Sequence, residues 1–283
     1  MTLQQERARR TGPRELAVTV TPRYRFMRSI DRFIVRALFE VRSEGLDGWP
    51  RAPFQLVCSH HSGWDPMILI AVAPAVPRIT WFGPREADFS RGFKNRVMAF
   101  FGGVIPFNPE KTTLVSAVRA VRRVFEAGGV LAIFAEGRVG FRETALLPFE
   151  DGAVAFATAS GVPIVPCAMV GTTVMHFRRR VVVRFGAPIE TAGARGATAR
   201  AELEERVRDA LLALVPAREP ALPARRPLAW IGDILDGEED RRLRDVHLAE
   251  RMRETAAPEV VGPDPGAPDA VAAETVAGSD PPS

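Results

Sequence analysis

With 283 residues, the chain is long enough for one or two domains, and its hydrophobic fraction of 46% predicts a sizeable globular core. No apolar run approaches the roughly 18 residues of a transmembrane helix, and the N-terminus lacks the apolar stretch of a signal peptide, so we expect a soluble or surface-bound protein. The formal net charge is +4, and setting aside the five acidic residues after residue 254 leaves +9 on residues 1–254. A basic body favours anionic partners such as lipid headgroups, whereas no nucleic-acid motif accompanies it.

Residues 1–20 are predicted to form a flexible arm, and an amphipathic helix is predicted to begin after Pro22. The apolar residues of this helix have the three-four spacing of one face, namely Phe26, Met27, Ile30, Phe33, Ile34, Ala37, Leu38 and Val41. The basic residues on its polar side are Arg25, Arg28, Arg32 and Arg36. This pattern is typical of a helix lying in a membrane interface. The same apolar face would also suit packing on the domain, so both interpretations stay open.

The segment after Pro53 contains the first candidate site. The hydrophobic run at 54–58 is short, which predicts a buried strand, and Pro66 suits the first turn of a following helix. His60 and Asp65 lie between them, in a loop at the carboxyl end of a strand, where α/β proteins place their chemistry. A loop can fold these two residues into a hydrogen-bonded pair in which the carboxylate fixes the tautomer of an imidazole base.

Asp65 also has a purely structural interpretation. Ser62 and Asp65 have the spacing of a capping box, and an aspartate followed by Pro66 is typical of an N-cap and a first-turn proline. The spacing of His60 and Asp65 is a weak signal on its own, so neither interpretation is excluded.

Strands and helices alternate along the rest of the chain. Predicted strands lie at 78–82, 104–107, 130–134, 164–170 and 179–185, and predicted helices at 93–101, 114–125, 153–159 and 201–215. This alternation indicates an α/β fold, a single domain with a central mixed sheet flanked by helices. Pro163 and Pro166 indicate an irregular or edge position for the strand at 164–170. Cys58 and Cys167 fall inside strands and are interpreted as buried thiols, which fits a reducing compartment.

The apolar run at 130–134 is the strongest candidate for a central strand, and three candidate site residues follow it. Gly137 would let the backbone approach a ligand closely, and Arg138 would offer a planar fork to a phosphate or carboxylate. Glu136 would equally buttress the loop by accepting backbone amides. His176 and His247 have no partners in the sequence and are interpreted as ordinary histidines.

The composition changes after Pro216. Residues 217–254 are predicted to form a short helical extension. Residues 255–283 are rich in proline, alanine and acid with few large apolar residues, which predicts a disordered tail.

From His60 through Gly171, the chain resembles the glycerolipid acyltransferase family, which includes bacterial 1-acylglycerol-3-phosphate acyltransferases. Residues 59–65 are similar to the NHxSxxD block of that family, residues 134–137 to its FPEG block, and residues 162–167 to its VPIVPV block. Three blocks in this order are far more specific than any one of them.

The resemblance implies that residues 21–216 form an acyltransferase domain in which His60 is the general base and Asp65 orients it. The acyl group would move from acyl-CoA or acyl carrier protein to a hydroxyl of 1-acylglycerol-3-phosphate in phospholipid biosynthesis, with no cofactor or metal. Substrate-binding candidates are Ser62, Glu136, Gly137 and Arg138, and backbone amides near the His60 loop would hold the oxyanion. The protein would be cytoplasmic and peripheral on the inner face of the cell membrane.

The chain departs from the family near the acceptor site. Where relatives carry an arginine for the acceptor phosphate, this chain has Asn108 and Lys111, which would supply a neutral hydrogen bond and a point charge. Asp151 stands where the family often has a lysine. Arg138 follows Gly137 directly, which is similar to relatives acting on lysophosphatidylethanolamine. These departures favour another lysophospholipid or a glycolipid as an alternative acceptor.

Two other classes of function stay open. A metal-dependent hydrolase would use His60, His61 and Asp65 as ligands, but it would need more ligands than the chain visibly clusters. A non-catalytic lipid-binding protein with this fold is suggested by the departures at Asn108 and Asp151. Against it, a structural role for Asp65 would not require a histidine at position 60.

Overall fold

The structure is a computed structural model, and it describes residues 18–83, 103–106, 114–150, 152–222 and 225–256. Its helices are α1 (Pro22–Leu38), α2 (Asp65–Val72), α3 (Leu114–Glu126), α4 (Gly152–Ser160), α5 (Ala197–Leu212), α6 (Trp230–Asp233) and α7 (Glu238–Ala256). Its strands are β1 (Glu40–Glu44), β2 (Phe54–Cys58), β3 (Ile79–Gly83), β4 (Val104–Pro106), β5 (Val130–Phe134), β6 (Ile164–Val170) and β7 (Arg180–Phe185). Asn108, Lys111, Asp151 and the predicted helix at 93–101 lie outside the described residues.

The described strands form one mixed sheet of seven strands in the order β1-β7-β6-β2-β5-β3-β4. Strands β6, β2, β5, β3 and β4 are parallel, whereas β7 is antiparallel to β6, and β1 is parallel to β7. The carboxyl ends of β2, β5 and β6 therefore lie at one edge of the sheet. This topology confirms the predicted α/β fold with a central mixed sheet.

Helices cover both faces of the sheet. Because successive strand residues point to opposite faces, neighbours such as Leu56 and Val57 in β2 belong to two different hydrophobic clusters. The first cluster contains α1 and α2 through residues such as Val35 and Ile68, and the second contains α3, α4 and α5. Every residue of β2 is buried, as expected for a strand covered on both sides.

The edge position predicted for β6 is wrong, because β6 lies between β7 and β2. The pairing of β6 with β7 begins at Cys167, opposite Phe185, so Pro166 lies where β7 has already ended. The chain that continues from β7 still contributes a bond there, since the Gly186 N–H donates to the Pro166 carbonyl oxygen at 2.9 Å. An interior strand thus tolerates this proline at a position where no N–H is needed.

Cys58 and Cys167 are free, fully buried thiols, as predicted. They are direct partners in the parallel register of β2 and β6. Burial raises the pKa of the Cys58 thiol well above its ordinary value, and the neighbouring Cys167 acts in the same direction.

Helix α1 is amphipathic as predicted, but the side that faces the protein includes the charged residues Arg28 and Asp31. The inward residues are Tyr24, Arg28, Asp31 and Val35, and the exposed large apolar residues are Phe26, Ile30, Phe33 and Ile34. The Arg28 guanidinium donates to the carbonyl oxygen of Ala73, and the Arg78 guanidinium lies 4.4 Å from the centre of the Tyr24 ring. The alternative in which the apolar face packs on the domain is therefore wrong for those four exposed residues. No helix among the described residues is long and apolar enough to cross a membrane.

The chain divides into two compact units, Met1–Arg244 and Asp245–Ser283, with the boundary inside α7. The first unit contains the whole described sheet and α6. The described part of the second unit continues α7, where His247 Nδ1 lies 3.8 Å from Glu250 Oε2. The predicted boundaries of the extension at 217–254 and of the tail at 255–283 stay predictions.

We expect the stability of the protein to depend on the protonation of Asp31. Burial raises the pKa of Asp31 from 3.8 to about 7, although the charge of Arg28 opposes the shift. Because the pKa of Asp31 is higher in the folded state, the contribution of this group to stability is fully present below its unfolded pKa. That contribution is lost as the pH rises towards 7. Asp31→Asn should therefore be more stable than the wild type above pH 7, by up to about 4 kcal/mol. The advantage should vanish below pH 4.

Urea unfolding at several pH values measures this difference. Asp47→Asn makes the same chemical change at an exposed position and serves as the matched control. A stability difference between Asp31→Asn and the wild type that does not change with pH would contradict the prediction.

Candidate active site

The loop after β2 contains His60 and Asp65 as a hydrogen-bonded pair. His60 Nδ1 lies 2.9 Å from Asp65 Oδ2, the Asp65 side chain is fully buried, and 17% of the His60 side chain is exposed. Because Nδ1–H donates to the carboxylate, the neutral imidazole has its lone pair on Nε2. Among the described residues, Nε2 has no hydrogen-bond partner. The geometry suits an imidazole that takes a proton from a ligand.

Asp65 holds the loop backbone as well as the imidazole. Its Oδ2 atom accepts the N–H of His61 at 2.6 Å and the N–H of Ser62 at 2.9 Å. Helix α2 has Trp64 at its N-cap and no side-chain capping bond, so the prediction of Asp65 as the N-cap is wrong. Of the predicted capping box, only the bond from the Ser62 N–H to the Asp65 carboxylate is present. Burial alone would raise the pKa of Asp65, but the hydrogen bond from His60 and the charges of both histidines outweigh it, and the pKa is lowered. Asp65 is therefore a carboxylate at neutral pH.

His61 has a different environment from His60. Only 1% of His61 is exposed, and its Nε2–H donates to the carbonyl oxygen of Arg142 at 3.1 Å. His61 therefore links the β2 loop to the segment after β5. Across the part of the chain that the structure describes, no group of three or more His, Cys, Asp or Glu side chains could hold a metal ion.

Two aromatic rings support the His60 imidazole. The imidazole stacks on Phe134 with ring centres 3.9 Å apart and planes 16° apart, and Phe134 in turn stacks on Trp81 at 5.4 Å. Trp81 is buried in the core below. The sequence analysis did not predict this role for Phe134, although Phe134 begins the FPEG-like block. The stack and the Asp65 carboxylate together restrict the ring to one orientation.

Glu136 buttresses the His60 loop. Its Oε1 atom accepts the His60 N–H at 3.3 Å, and its Oε2 atom accepts the Leu147 N–H at 2.8 Å. The Gly140 N–H donates to the His60 carbonyl oxygen at 2.7 Å, which joins the same two segments again. Burial raises the pKa of Glu136, and the Leu147 amide and the histidine charges oppose the shift. The buttressing interpretation agrees with these contacts, and an acceptor-binding role for Glu136 stays a prediction.

Gly137 and Arg138 are exposed beside this buttress. Gly137 has φ +63°, and a Cβ at this position would lie 2.7 Å from Glu150 Cγ, so both conformation and space favour glycine. Among the described residues, Arg138 has no hydrogen-bond or ion-pair partner. It lies two residues before Gly140, which is bonded to His60. Arg138 is therefore available to an anionic ligand, and its predicted role stays a prediction.

Ser62 contacts a residue that the sequence analysis missed. The Ser62 hydroxyl donates to Asp236 Oδ1 at 3.1 Å, and the Gly63 N–H donates to the same oxygen at 2.7 Å. Asp236 is 173 positions away from Gly63, and no motif connects the two. Ser62 is only 1% exposed, and its hydrogen bonds hold the loop together. Its predicted role in substrate binding stays a prediction.

All five backbone N–H groups of residues 60–64 have acceptors within the protein. The acceptors are Glu136 for His60, Asp65 for His61 and Ser62, Asp236 for Gly63, and the Ser62 hydroxyl for Trp64. The hypothesis that amides of this loop hold an oxyanion therefore finds no donor at these five positions.

An imidazole with an available nitrogen, fixed by a buried carboxylate at the carboxyl edge of an α/β sheet, suits an enzyme that transfers a group to a hydroxyl. Residues 40–170, just under half of the chain, match the family model described as Acyltransferase. They contain the His60 loop, the Glu136 segment and strands β1 to β6. This match confirms the resemblance to acyltransferases that the sequence indicated, and it supports an acyltransferase enzyme.

The fold is similar to a solved structure, the crystal structure of the 1-acyl-sn-glycerophosphate (LPA) acyltransferase PlsC from Thermotoga maritima. The two share 18% sequence identity with a TM-score of 0.53, and the match covers 69% of this chain and 81% of that one. At this identity the likeness concerns the fold.

We expect Glu136→Ala to destabilise the protein by about 2–4 kcal/mol, because the amides of His60 and Leu147 would lose a charged acceptor inside the protein. Glu136→Gln should cost less, since its amide oxygen still accepts one of the two bonds. Thermal or denaturant unfolding of both variants measures the difference. Equal stability of Glu136→Ala and the wild type would contradict the buttressing role.

Proposed function

We propose that the protein transfers a fatty acyl group from acyl-CoA or acyl carrier protein to a hydroxyl of a glycerolipid, with 1-acylglycerol-3-phosphate as the first-choice acceptor, in phospholipid biosynthesis. The observation that carries the proposal is the 2.9 Å pair of His60 and the buried Asp65, which leaves His60 Nε2 available. The match of residues 40–170 to the acyltransferase family model supports the reaction class. The fold-level relative, PlsC, is named for the same kind of acceptor.

In the proposed reaction, the acceptor hydroxyl attacks the thioester carbonyl carbon while His60 Nε2 takes the hydroxyl proton. A new C–O bond forms, and the carbonyl oxygen becomes an oxyanion. The tetrahedral intermediate then collapses, the C–S bond breaks, and the thiolate leaves. The imidazolium returns its proton to the thiolate, so His60 ends the cycle neutral.

The surroundings of His60 suit this proton transfer. The lowered pKa of Asp65 keeps its carboxylate ionised, and that charge stabilises the imidazolium as it forms. Stacking on Phe134 at 3.9 Å keeps the ring in place while its charge changes. No rearrangement of the loop is therefore required during the reaction.

Arg138 is the residue that we assign to the acceptor phosphate. It is exposed at the end of β5, on the segment that Gly140 and Glu136 bond to His60. A guanidinium can bind phosphate through two parallel hydrogen bonds. Asn108 and Lys111 are proposed to assist, as the sequence analysis predicts.

We further propose that α1 binds the inner face of the cell membrane. Phe26 and Phe33 are 66% and 75% exposed, although large apolar side chains usually avoid water. Arg28 and Asp31 lie on the inward side of α1. Turning the helix so that its exposed apolar residues pack on the domain would move these two side chains out of their present positions. Exposed Arg25 and Arg36 can contact anionic headgroups. Such binding would bring a lysolipid acceptor to the enzyme.

The catalytic proposal predicts that His60→Ala loses acyl transfer by at least about a hundredfold, because the general base is removed. Thiol release from acyl-CoA is measured with lysophosphatidic acid, lysophosphatidylethanolamine and a glycolipid as acceptors, and again with acyl carrier protein as donor. The acceptor that supports the fastest release identifies the substrate class. Asp65→Asn should also lose activity, since an amide does not stabilise the imidazolium.

His247→Ala is the matched control, because this histidine lies outside the segment that matches the family. It should retain wild-type activity. Folded His60→Ala protein with wild-type thiol release would remove His60 as the base. Donor binding without acyl transfer by the wild type under every condition would favour the lipid-binding alternative.

The membrane proposal predicts that Phe26→Asp together with Phe33→Asp weakens binding to vesicles containing anionic lipid by about tenfold or more, because apolar area leaves the interface. Vesicle co-sedimentation measures the change. Leu212→Asp alters an exposed apolar residue on α5 and should leave binding unchanged. Equal binding by the α1 variant and the wild type would refute a membrane role for this face.

A further inference from the structure

We infer that Asp236, in the segment between α6 and α7, is a positioning residue for His60. This segment lies beyond residue 170, where the match to the acyltransferase family ends. The inference rests on the proposed role of His60 as the base. It assigns to the C-terminal extension a part in keeping the active-site loop in its reactive geometry.

One carboxylate oxygen of Asp236 binds the His60 loop, and the other binds Arg244. Its Oδ1 atom accepts the Gly63 N–H at 2.7 Å and the Ser62 hydroxyl at 3.1 Å. Its Oδ2 atom accepts from the Arg244 guanidinium, which also donates to Asp233 Oδ1. Asp236 is 4% exposed, so these bonds are shielded from water. Arg244 thereby orients the carboxylate towards the loop.

Asp65 and Asp236 together accept most of the hydrogen bonds that the loop donates. Asp65 Oδ2 binds the His60 ring and the N–H groups of His61 and Ser62, and Asp236 Oδ1 binds the next N–H and the Ser62 hydroxyl. Residues 59–62 belong to no helix or strand, so side-chain acceptors have to fix their conformation. Ser62 contacts both carboxylates and links the position of Asp236 to that of His60.

The backbone of the extension lies directly against the loop. A Cβ on Gly63 would be 2.1 Å from the carbonyl oxygen of Leu235, so only glycine permits this approach. One residue further on, the Trp64 indole N–H donates to the carbonyl oxygen of Ile231 at 2.9 Å, and both residues are buried. Three consecutive loop residues therefore contact the segment 231–236.

Loss of the Asp236 carboxylate would leave the Gly63 N–H and the Ser62 hydroxyl without their acceptor. Residues 62 and 63 would then move, and the Ser62 N–H shares its acceptor oxygen with His60 Nδ1. The imidazole would lose its fixed direction. A displacement of a catalytic group by about 1 Å can lower a rate by roughly a hundredfold.

The experiment compares Asp236→Ala, Asp236→Asn and Asp233→Asn in the full-length protein. Asp233→Asn is the matched control, because Asp233 also binds Arg244 but makes no hydrogen bond with the loop among the described residues. Asp236→Ala should lower kcat by roughly 10- to 100-fold with the KM for the acyl donor within about twofold of wild type. Asp236→Asn should recover part of the loss, since its amide oxygen still accepts from Gly63. Asp233→Asn should keep wild-type kcat.

A second measurement separates this inference from the proposed function. The downfield proton resonance of His60 Nδ1–H reports the bond to Asp65 and requires no substrate. The resonance should disappear or shift in folded Asp236→Ala and persist in Asp233→Asn. An unchanged resonance and kcat in folded Asp236→Ala would overturn the inference, as would equal losses in the Asp233→Asn control. Activity without His60 would overturn the proposed function, whereas the resonance would still test the effect of Asp236 on the loop.

Discussion

One buried carboxylate oxygen, Asp65 Oδ2, organises the loop on which the site depends. It accepts the His60 ring N–H and the N–H groups of His61 and Ser62. A buried charge is tolerated only where hydrogen bonds replace the lost water. The loop therefore has to close around Asp65, and the same closure directs the imidazole. Loop conformation and imidazole orientation have one physical cause, which is why a histidine at this position is held so firmly without belonging to a helix or a strand.

The strand order explains why distant parts of the chain meet at this loop. Strand β2 lies between β5 and β6, parallel to both, so the residues after β2 and after β5 emerge at the same edge. Phe134 at the end of β5 and Glu136 just after it contact His60. Strand β6 acts on the backbone instead, since the Ser59 N–H donates to the Cys167 carbonyl oxygen at 3.0 Å. The three family-like blocks thus divide into two that border the imidazole and one that supports the strand beneath it.

The sequence could predict the features that depend on a local residue pattern. It could not predict the features that depend on contacts between distant parts of the chain. Strand β2 and the His60–Asp65 pair follow from short runs and close spacing. The amphipathic pattern of α1 shows which residues share a face, but it does not show which face meets the protein, and Arg28 and Asp31 proved to be inside. The wrong edge position for β6 has a similar origin, because Pro166 lacks an N–H, and β7 ends before it could pair with that position. Asp236 had no sequence signal, since its contacts with Ser62 and Gly63 form only after folding.

The position of Asp236 in the chain also orders events during synthesis. Every described strand precedes residue 186, so a growing chain can complete its sheet and bring Asp65 to His60 before residues 231–244 exist. At that stage the Gly63 N–H still lacks its acceptor, Asp236 Oδ1. Domains fold progressively from the N-terminus as they are made. The nascent protein can therefore form its sheet first, whereas the loop at residues 59–64 gains its last acceptor only after residue 236 has been made.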